Sequence, residues 1–453
     1  MFTAADLAAA CGGVWHNCPN VDFTGIETDS RKDLTGKLFL ALSGEKFDGH
    51  DFALQAINSG AAAICANIAK KAYLPSDIPV LWVEDTLCAY QDIARFHRLR
   101  FPELTVIAVT GSVGKTSVKE MLYAVCSAAS SPEEVLATCG NTNNQIGVPQ
   151  NLLRLEKHHR FAVIEMGTSS PGEIEPLSRT ALPQVAVVNS IAPCHLEKLN
   201  DLAGVAREKG AIYQALPPDG VAVMPYDSAQ RQILENCAGT KKIVTFGSGS
   251  SADVFSVFKS GGISGCRFQL NIDGKSFEID LPLSGRHQVL NAAAAACAAA
   301  AAGIEPGIIA GGLPQTRLPG MRDKITKSGM VTLINDAYNA NPVSMKAVLS
   351  ALAESETSDR IILVLGTMRE LGELSDSAHH EILNFARNLF PRALIITVGQ
   401  GFAGLQKSDR HFDLSSDAQD LVSSFFSGDE PVTILVKGSR GEALEMALPE
   451  FCR

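Results

Sequence analysis

The chain has 453 residues and lacks several features that would set it apart from ordinary globular proteins. Its longest apolar run extends only from Ala292 to Ala302 and is nearly all alanine, whereas a bilayer-spanning helix needs about 20 apolar residues. The opening Met1 to Ala10 contains Asp6 and no basic stretch ahead of an apolar core, so no signal peptide is expected. The 11 cysteines include no C-x-x-C pair and no His/Cys cluster at zinc spacing, which argues against structural zinc and against a disulfide framework. Their odd, scattered distribution fits reduced, core-filling thiols in a cytosolic chain. An excess of positive charge is missing too: 39 Lys and Arg against 49 Asp and Glu leave −10. That balance disfavours non-specific binding of nucleic acid through global charge, while a local basic patch stays open. With 46% hydrophobic and 19% charged residues, the composition is not that of a disordered chain.

At roughly 150 residues per domain, the length predicts three domains. Short β-branched runs alternate with longer helical stretches, the pattern of α/β folds with largely parallel sheets. The expected divisions are 1–84, a small α/β unit; 85–313, a central unit with a mostly parallel sheet; and 314–453, a Rossmann-like α/β unit. Strands are expected at Lys37 to Leu42, Ala61 to Ala66 and Val80 to Val83, and, after a helix over Thr86 to Arg100, at Thr105 to Val109, Ala162 to Glu165, Val185 to Val188, Val221 to Met224 and Ile243 to Phe246. A β-rich insertion, Val254 to Leu281, precedes the Ala-rich helix. Further strands are expected at Val331 to Asn335, Ile361 to Leu365, Leu394 to Val398 and Val432 to Val436.

The strongest chemical signal follows Thr105 to Thr110. Gly111-Ser112-Val113-Gly114-Lys115-Thr116-Ser117 comes directly after that strand and before a helix expected over Val118 to Ala129. Strand, glycine turn, Lys-Thr and helix form the layout of a nucleotide-phosphate cradle. Gly111 and Gly114 allow backbone amides to turn inward, and the helix dipole favours negative charge. Lys115 would neutralise β- and γ-phosphates and the Thr116 hydroxyl would ligate magnesium. The loop departs from G-x-x-x-x-G-K-[ST], because position 109 is Val109. A mere connecting turn would explain the glycines but not a Lys-Thr pair after an apolar strand.

Other residues are less decisive by themselves. Glu165 ends an apolar strand, where α/β sheets place ligands, and could hold magnesium or act as a turn or cap acid. His195 lies in an irregular loop after the next strand, where a histidine is usually just hydrogen-bonded. Lys209, in Glu208-Lys209-Gly210, reads as a solvated charge on a polar helix face. Asn291 could read an adenine edge or cap a helix. Asp336 is a strand-end acid suited to ribose hydroxyls, and Arg322 could stabilise phosphoryl charge. Asn339, Asn341 and Ser344 could be turn and cap residues. Lys437-Gly438-Ser439-Arg440 could bind an anion or form a solvated turn.

Taken together, these motifs resemble the Mur ligases and the related folylpolyglutamate synthetases, which join amino groups to carboxylates. The resemblance rests on Thr110 to Ser117 with Lys119-Glu120-Met121, on Cys139 to Pro149 containing Asn141, Asn143 and Asn144, on Val163 to Gly167, on Asn189 to Glu197, and on Asn335 to Pro342. It implies binding of ATP by Gly111, Ser112, Gly114, Lys115, Thr116, Ser117, Asn291, Arg322 and Asp336. It also implies magnesium at Thr116, Glu165, His195 and Lys209, with Lys209 carbamylated into a carboxylate-like ligand, and a catalytic set of Lys115, Glu165, His195 and Lys209. Asp29-Ser30-Arg31 and the run from Ala41 through Asp48 and His50 to Phe52 fit best those family members that add D-alanyl-D-alanine to UDP-N-acetylmuramoyl-tripeptide. For these, the UDP-linked substrate is expected at Ser30, Arg31, Asp48, His50, Asn141 and Asn144, and the dipeptide on the third unit. The implied protein is a cytoplasmic, monomeric bacterial ligase of cell-wall synthesis, without nucleic-acid or membrane partners. The competing expectations are another Mur or folylpolyglutamate-type ligase, and a P-loop regulatory ATPase that binds a protein through its third unit.

Overall fold

The computed structural model describes residues 1–44, 47–322, 324–355 and 360–452, and in it three successive stretches of the chain each build their own sheet. Glu45 and Lys46, inside the first-unit motif, lie outside the described residues. The first sheet has the order β1-β5-β4-β3-β2, from β1 (Val14–His16), β2 (Ile26–Glu27), β3 (Leu38–Leu40), β4 (Ala63–Asn67) and β5 (Val80–Val83). Only the β1–β5 pair is antiparallel. The two edge strands β1 and β2 were not expected, since two or three residues are too few to show a period of two.

The central sheet runs β14-β13-β12-β11-β10-β9-β6-β8-β7. Its strands are β6 (Thr105–Thr110), β7 (Val135–Ala137), β8 (Phe161–Glu165), β9 (Val185–Val188), β10 (Val221–Pro225), β11 (Lys242–Gly247), β12 (Val254–Gly262), β13 (Gly265–Ile272) and β14 (Lys275–Leu281). Strands β7 to β12 pair in parallel, and the β-rich insertion is an antiparallel extension through β13 and β14. Burial on both faces explains why β8 and β9 read as unbroken apolar runs. The Ala-rich helix His287–Ala301 packs against the helix Lys115–Ala129 and the sheet, with Ala292 to Ala296 wholly buried. Alanine fits there because its small side chain permits close approach at little entropic cost.

The third sheet, β15-β16-β20-β17-β18-β19, comprises β15 (Lys324–Ser328), β16 (Val331–Asn335), β17 (Arg360–Gly366), β18 (Leu394–Val398), β19 (Arg410–Phe412) and β20 (Val432–Lys437). All its pairs except β15–β16 are parallel. The helix Thr86–Leu99 joins the first two units, contributing Ala89, Tyr90 and Ile93 to one core and Ala94 to the other. The tip of the β12–β13 hairpin bridges the second and third. Ile263 packs against the third unit's core, its N–H donates to Ser355 Oγ at 2.8 Å, and nearby Arg286 pairs with Glu354 at 2.7 Å.

Candidate active site

Strand β6 lies between β8 and β9, so the chain leaves it toward one flank and later returns to the other. Such a switch point opens a crevice at the carboxyl ends of the strands. The Gly111 loop, Glu165 and Asn189 emerge there from β6, β8 and β9. They line a cavity of about 520 Å³ that the third unit closes with Arg322, Asp336, Tyr338 and Lys437.

Gly114 adopts a left-handed φ of +80°, and the helix starts at once with Lys115 rather than at Val118 as the sequence suggested. Three residues, Gly111 to Val113, separate the strand from this glycine, and the helix begins directly after it, so its first-turn amides border the loop itself. Neither glycine tolerates a Cβ: at Gly111 it would collide with the Asn189 carboxamide, at Gly114 with Asn189 and Asn291. The loop is fastened to the segment after β9, for Val113 N–H donates to Ser190 Oγ at 3.0 Å and Ser112 Oγ donates to Ala192 O at 2.8 Å. Lys115 Nζ donates to Gly111 O at 2.8 Å, and among the described residues it has no carboxylate partner. Ser112, Thr116 and Ser117 also line the cavity.

Glu165 is 3% exposed. Its carboxylate accepts from Thr116 Oγ1 at 3.0 Å and from Asn143 Nδ2 at 2.8 Å. A hydroxyl and a carboxylate beside the Gly111 loop are hard oxygen donors of the kind magnesium takes, with water or other oxygen ligands completing its shell. Among the described residues no cluster of three metal-ligating side chains exists, so a dedicated all-protein cage is not what this donor set offers. Two supporting residues were missed in the sequence. Asn143 lay unassigned within a noted motif, and Lys119 is buried on the helix with its Nζ donating to Thr138 O at 3.0 Å. Thr138 Oγ1 in turn accepts the Glu165 N–H at 2.9 Å.

Lys209 corrects the expectation of a solvated charge, being 1% exposed on the helix Leu202–Gly210. None of the hydrogen bonds or ion pairs among the described residues engages its ammonium. Burial, reinforced by the charge of Lys115, pulls its pKa down to about 8. Its neighbour Glu208 accepts the backbone N–H groups of Gly172, Glu173 and Ile174 at 2.6, 3.0 and 2.8 Å, anchoring this helix to the loop beyond Glu165. His195 has a left-handed φ of +51°, and its Nδ1 lies 3.0 Å from Glu370 Oε2 of the third unit. Burial lowers its pKa, Lys209 and Lys115 act in the same sense, and Glu370 opposes them.

Asn291 sits in the fifth position of the helix His287–Ala301, which removes the cap alternative. Its Nδ2 donates to Gln288 Oε1 at 3.0 Å beside the phosphate loop. Arg322 stacks over the Tyr338 ring at 3.8 Å, and Lys437, 3% exposed, pairs with Asp336 at 2.5 Å. Lys437 is therefore a buried partner rather than part of a solvated turn. Asn341 and Ser344 form a capping box on the helix Pro342–Glu354.

The residues expected to hold the UDP-linked substrate are not all gathered here. Asn141 lines the cavity, but Asn144 caps a turn through the N–H groups of Ile146 and Gly147. Arg31 pairs with Asp29 at 2.8 Å on the surface of the first unit, beside Ser30. Asp48 is tied to His50 at 2.5 Å and Lys70 at 2.9 Å, and His50 Nε2 accepts the Asn67 N–H, so this motif is an internal brace more than an open platform.

The comparisons with known proteins bear on this geometry. Residues 22–98 match the Mur ligase family catalytic domain, 109–299 the Mur ligase middle domain and 321–451 the Mur ligase glutamate ligase domain. Across 94% of this chain and 93% of the relative, 36% of residues are identical to the UDP-N-acetylmuramoyl-tripeptide--D-alanyl-D-alanine ligase of Escherichia coli. The chain belongs to the Mur ligase family. The Bacillus subtilis ligase of the same name is 38% identical over 79% of this chain and 76% of its own. Among solved structures, MurF from Acinetobacter baumannii superposes with a TM-score of 0.89 at 33% identity, covering 98% of this chain and 97% of that one. The MurF ligase of Thermotoga maritima, solved in complex with ADP, gives 0.80 at 25% identity over 93% and 96%. A Mycobacterium tuberculosis folylpolyglutamate synthase shares the fold at 19% identity, with a TM-score of 0.61. This Mur ligase thus has the three-domain α/β architecture, with mostly parallel sheets, of its structural relatives.

Proposed function

We propose that this Mur ligase joins D-alanyl-D-alanine to UDP-N-acetylmuramoyl-tripeptide at the expense of ATP, giving the pentapeptide precursor of peptidoglycan, ADP and phosphate. The observation that carries it is the cavity where Lys115, Thr116 and Glu165 of the central unit face Arg322 and Asp336 of the third, in a chain similar over 94% of its length to a ligase of that name. The tripeptide carboxylate attacks the γ-phosphorus and ADP leaves; the dipeptide amine then attacks the acyl phosphate carbon, and phosphate departs as the nitrogen loses its proton. Lys115 and Arg322 offset the charge gathering on the phosphoryl oxygens, and Asp336 and Asn291 are the candidates for ribose and adenine. Magnesium, when bound, neutralises phosphate charge; Thr116 and Glu165 would hold one ion, His195 and a carbamylated Lys209 a second. Residues 1–84 take the UDP-linked substrate, 85–313 ATP and 314–453 the dipeptide. The enzyme works as a monomer in the bacterial cytoplasm, and no helix among the described residues is long and apolar enough to cross a membrane.

Incubation with ATP and a panel of acceptors tests the activity. Product from the UDP-tripeptide and D-alanyl-D-alanine, with none from folate and glutamate, is the expected result. Phosphate release that needs no small-molecule acceptor would favour a regulatory ATPase instead. Glu165→Ala should lower turnover on the order of 10²-fold and raise the magnesium requirement, leaving UDP-substrate binding nearly unchanged. Loss of UDP-substrate binding with an unaltered magnesium response would remove Glu165 from the metal. Conversely, Ser30→Ala with Arg31→Ala should raise KM for the UDP-linked substrate roughly tenfold, since an arginine can pair with a diphosphate, and spare KM for ATP. An equal rise for ATP would show the domain roles to be misassigned.

A further inference from the structure

The third unit reaches the central one at a point outside the cavity lining. Glu370 Oε2 stands 3.0 Å from His195 Nδ1, and Glu370 has a left-handed φ of +63°, as His195 does at +51°. Residues other than glycine hold that conformation only where their surroundings impose it. Here the residues just before Glu370 are clamped. Met368 N–H donates to His379 Nε2 at 2.8 Å, Arg369 N–H to Ser439 Oγ at 2.9 Å, and the Arg369 guanidinium pairs with Glu442 at 2.7 Å. Just beyond it Gly372 seats so closely on Glu197 that a Cβ would stand 3.0 Å from that side chain's Cγ. Glu370 is thus presented from a fixed loop toward the loop that carries His195.

An ionised carboxylate only accepts hydrogen bonds. With Glu370 opposite Nδ1, a neutral His195 carries its proton there and leaves the Nε2 lone pair free. Imidazoles that ligate metals are commonly held this way, with the second nitrogen donating to a carboxylate that fixes ring and tautomer.

We infer that Glu370 is a positioning residue, supplied by the third unit, that fixes His195 as the Nδ1–H tautomer and so readies it to ligate magnesium only while that unit is docked. The inference rests on the metal role proposed for His195. It makes the central unit's metal site depend on the unit expected to deliver the dipeptide, tying phosphoryl transfer to the presence of the acceptor's domain.

The test uses the full chain labelled with ¹⁵N-histidine, its two-bond ¹H–¹⁵N spectrum taken at about pH 8, where unperturbed imidazoles are neutral. His195→Ala identifies the signal. Because the Glu370 side chain is 69% exposed, Glu370→Ala should fold normally. It should lose the Nδ1–H pattern of the parent and raise the dissociation constant for Mn²⁺, the metal probe, roughly 10- to 100-fold. Glu370→Gln keeps an acceptor oxygen and should retain the tautomer, with a smaller loss of affinity. An unchanged tautomer or unchanged Mn²⁺ affinity in Glu370→Ala overturns the inference. Unweakened Mn²⁺ binding in His195→Ala overturns the metal role beneath it.

Discussion

Lys209→Ala should lower ligation on the order of 10³-fold, and short carboxylic acids added to the variant should restore part of the activity. The expectation comes from burial. An ammonium that is 1% exposed and engages no described partner is expensive to keep charged, and its pKa of about 8 places the neutral amine within reach. A neutral amine adds to carbon dioxide and, on giving up a proton to solvent, becomes a carbamate anion whose oxygens could ligate magnesium. Acetate or formate can occupy the space left by the truncated side chain and supply the missing oxygens, whereas amines cannot. Rescue by amines, or full activity without rescue, would remove Lys209 from the site. A surface lysine would give a silent variant.

The second large effect is expected at Lys115→Ala: turnover should fall by about 10³-fold or more, while thermal unfolding stays close to that of the parent. Lys115 Nζ contacts only the Gly111 carbonyl of its own loop in the described structure, with no ion pair, so the fold gains little from its charge. That charge is available to phosphate instead. Comparable turnover in the variant would refute the phosphate-loop assignment, and a large fall in unfolding temperature would show that the lysine braces the loop.

The parallel strands of the central sheet were legible because burial on both faces writes them as continuous apolar runs rich in valine, as in Val185–Val188. The strand–turn–helix layout around Gly111 was legible for a similar reason, because its three parts are contiguous in the chain. Burial created by packing between distant elements was hidden. The Arg207-Glu208-Lys209 stretch looks polar, and only the folded helix reveals Glu208 and Lys209 as inaccessible. The Lys437–Asp336 pair spans 101 residues, so a terminal Lys-Gly-Ser-Arg turn could not declare which carboxylate it meets. At Asp48 and His50 nothing in the sequence signalled the bonds that the fold adds, from Asp48 to Lys70 and from the Asn67 N–H to His50, since both partners lie about twenty residues on.

The hairpin that carries Ile263 into the third unit has a mechanical meaning. Its contact with Ser355 and the Arg286–Glu354 pair form one anchor; the Glu370–His195 pair, with Gly372 close against Glu197, forms another. A rigid body pinned at two points keeps one freedom, rotation about the line through them. While both hold, straight withdrawal of the third unit is blocked and rotation about that line is the least hindered motion, so spin labels placed on its outer sheet should trace arcs about it.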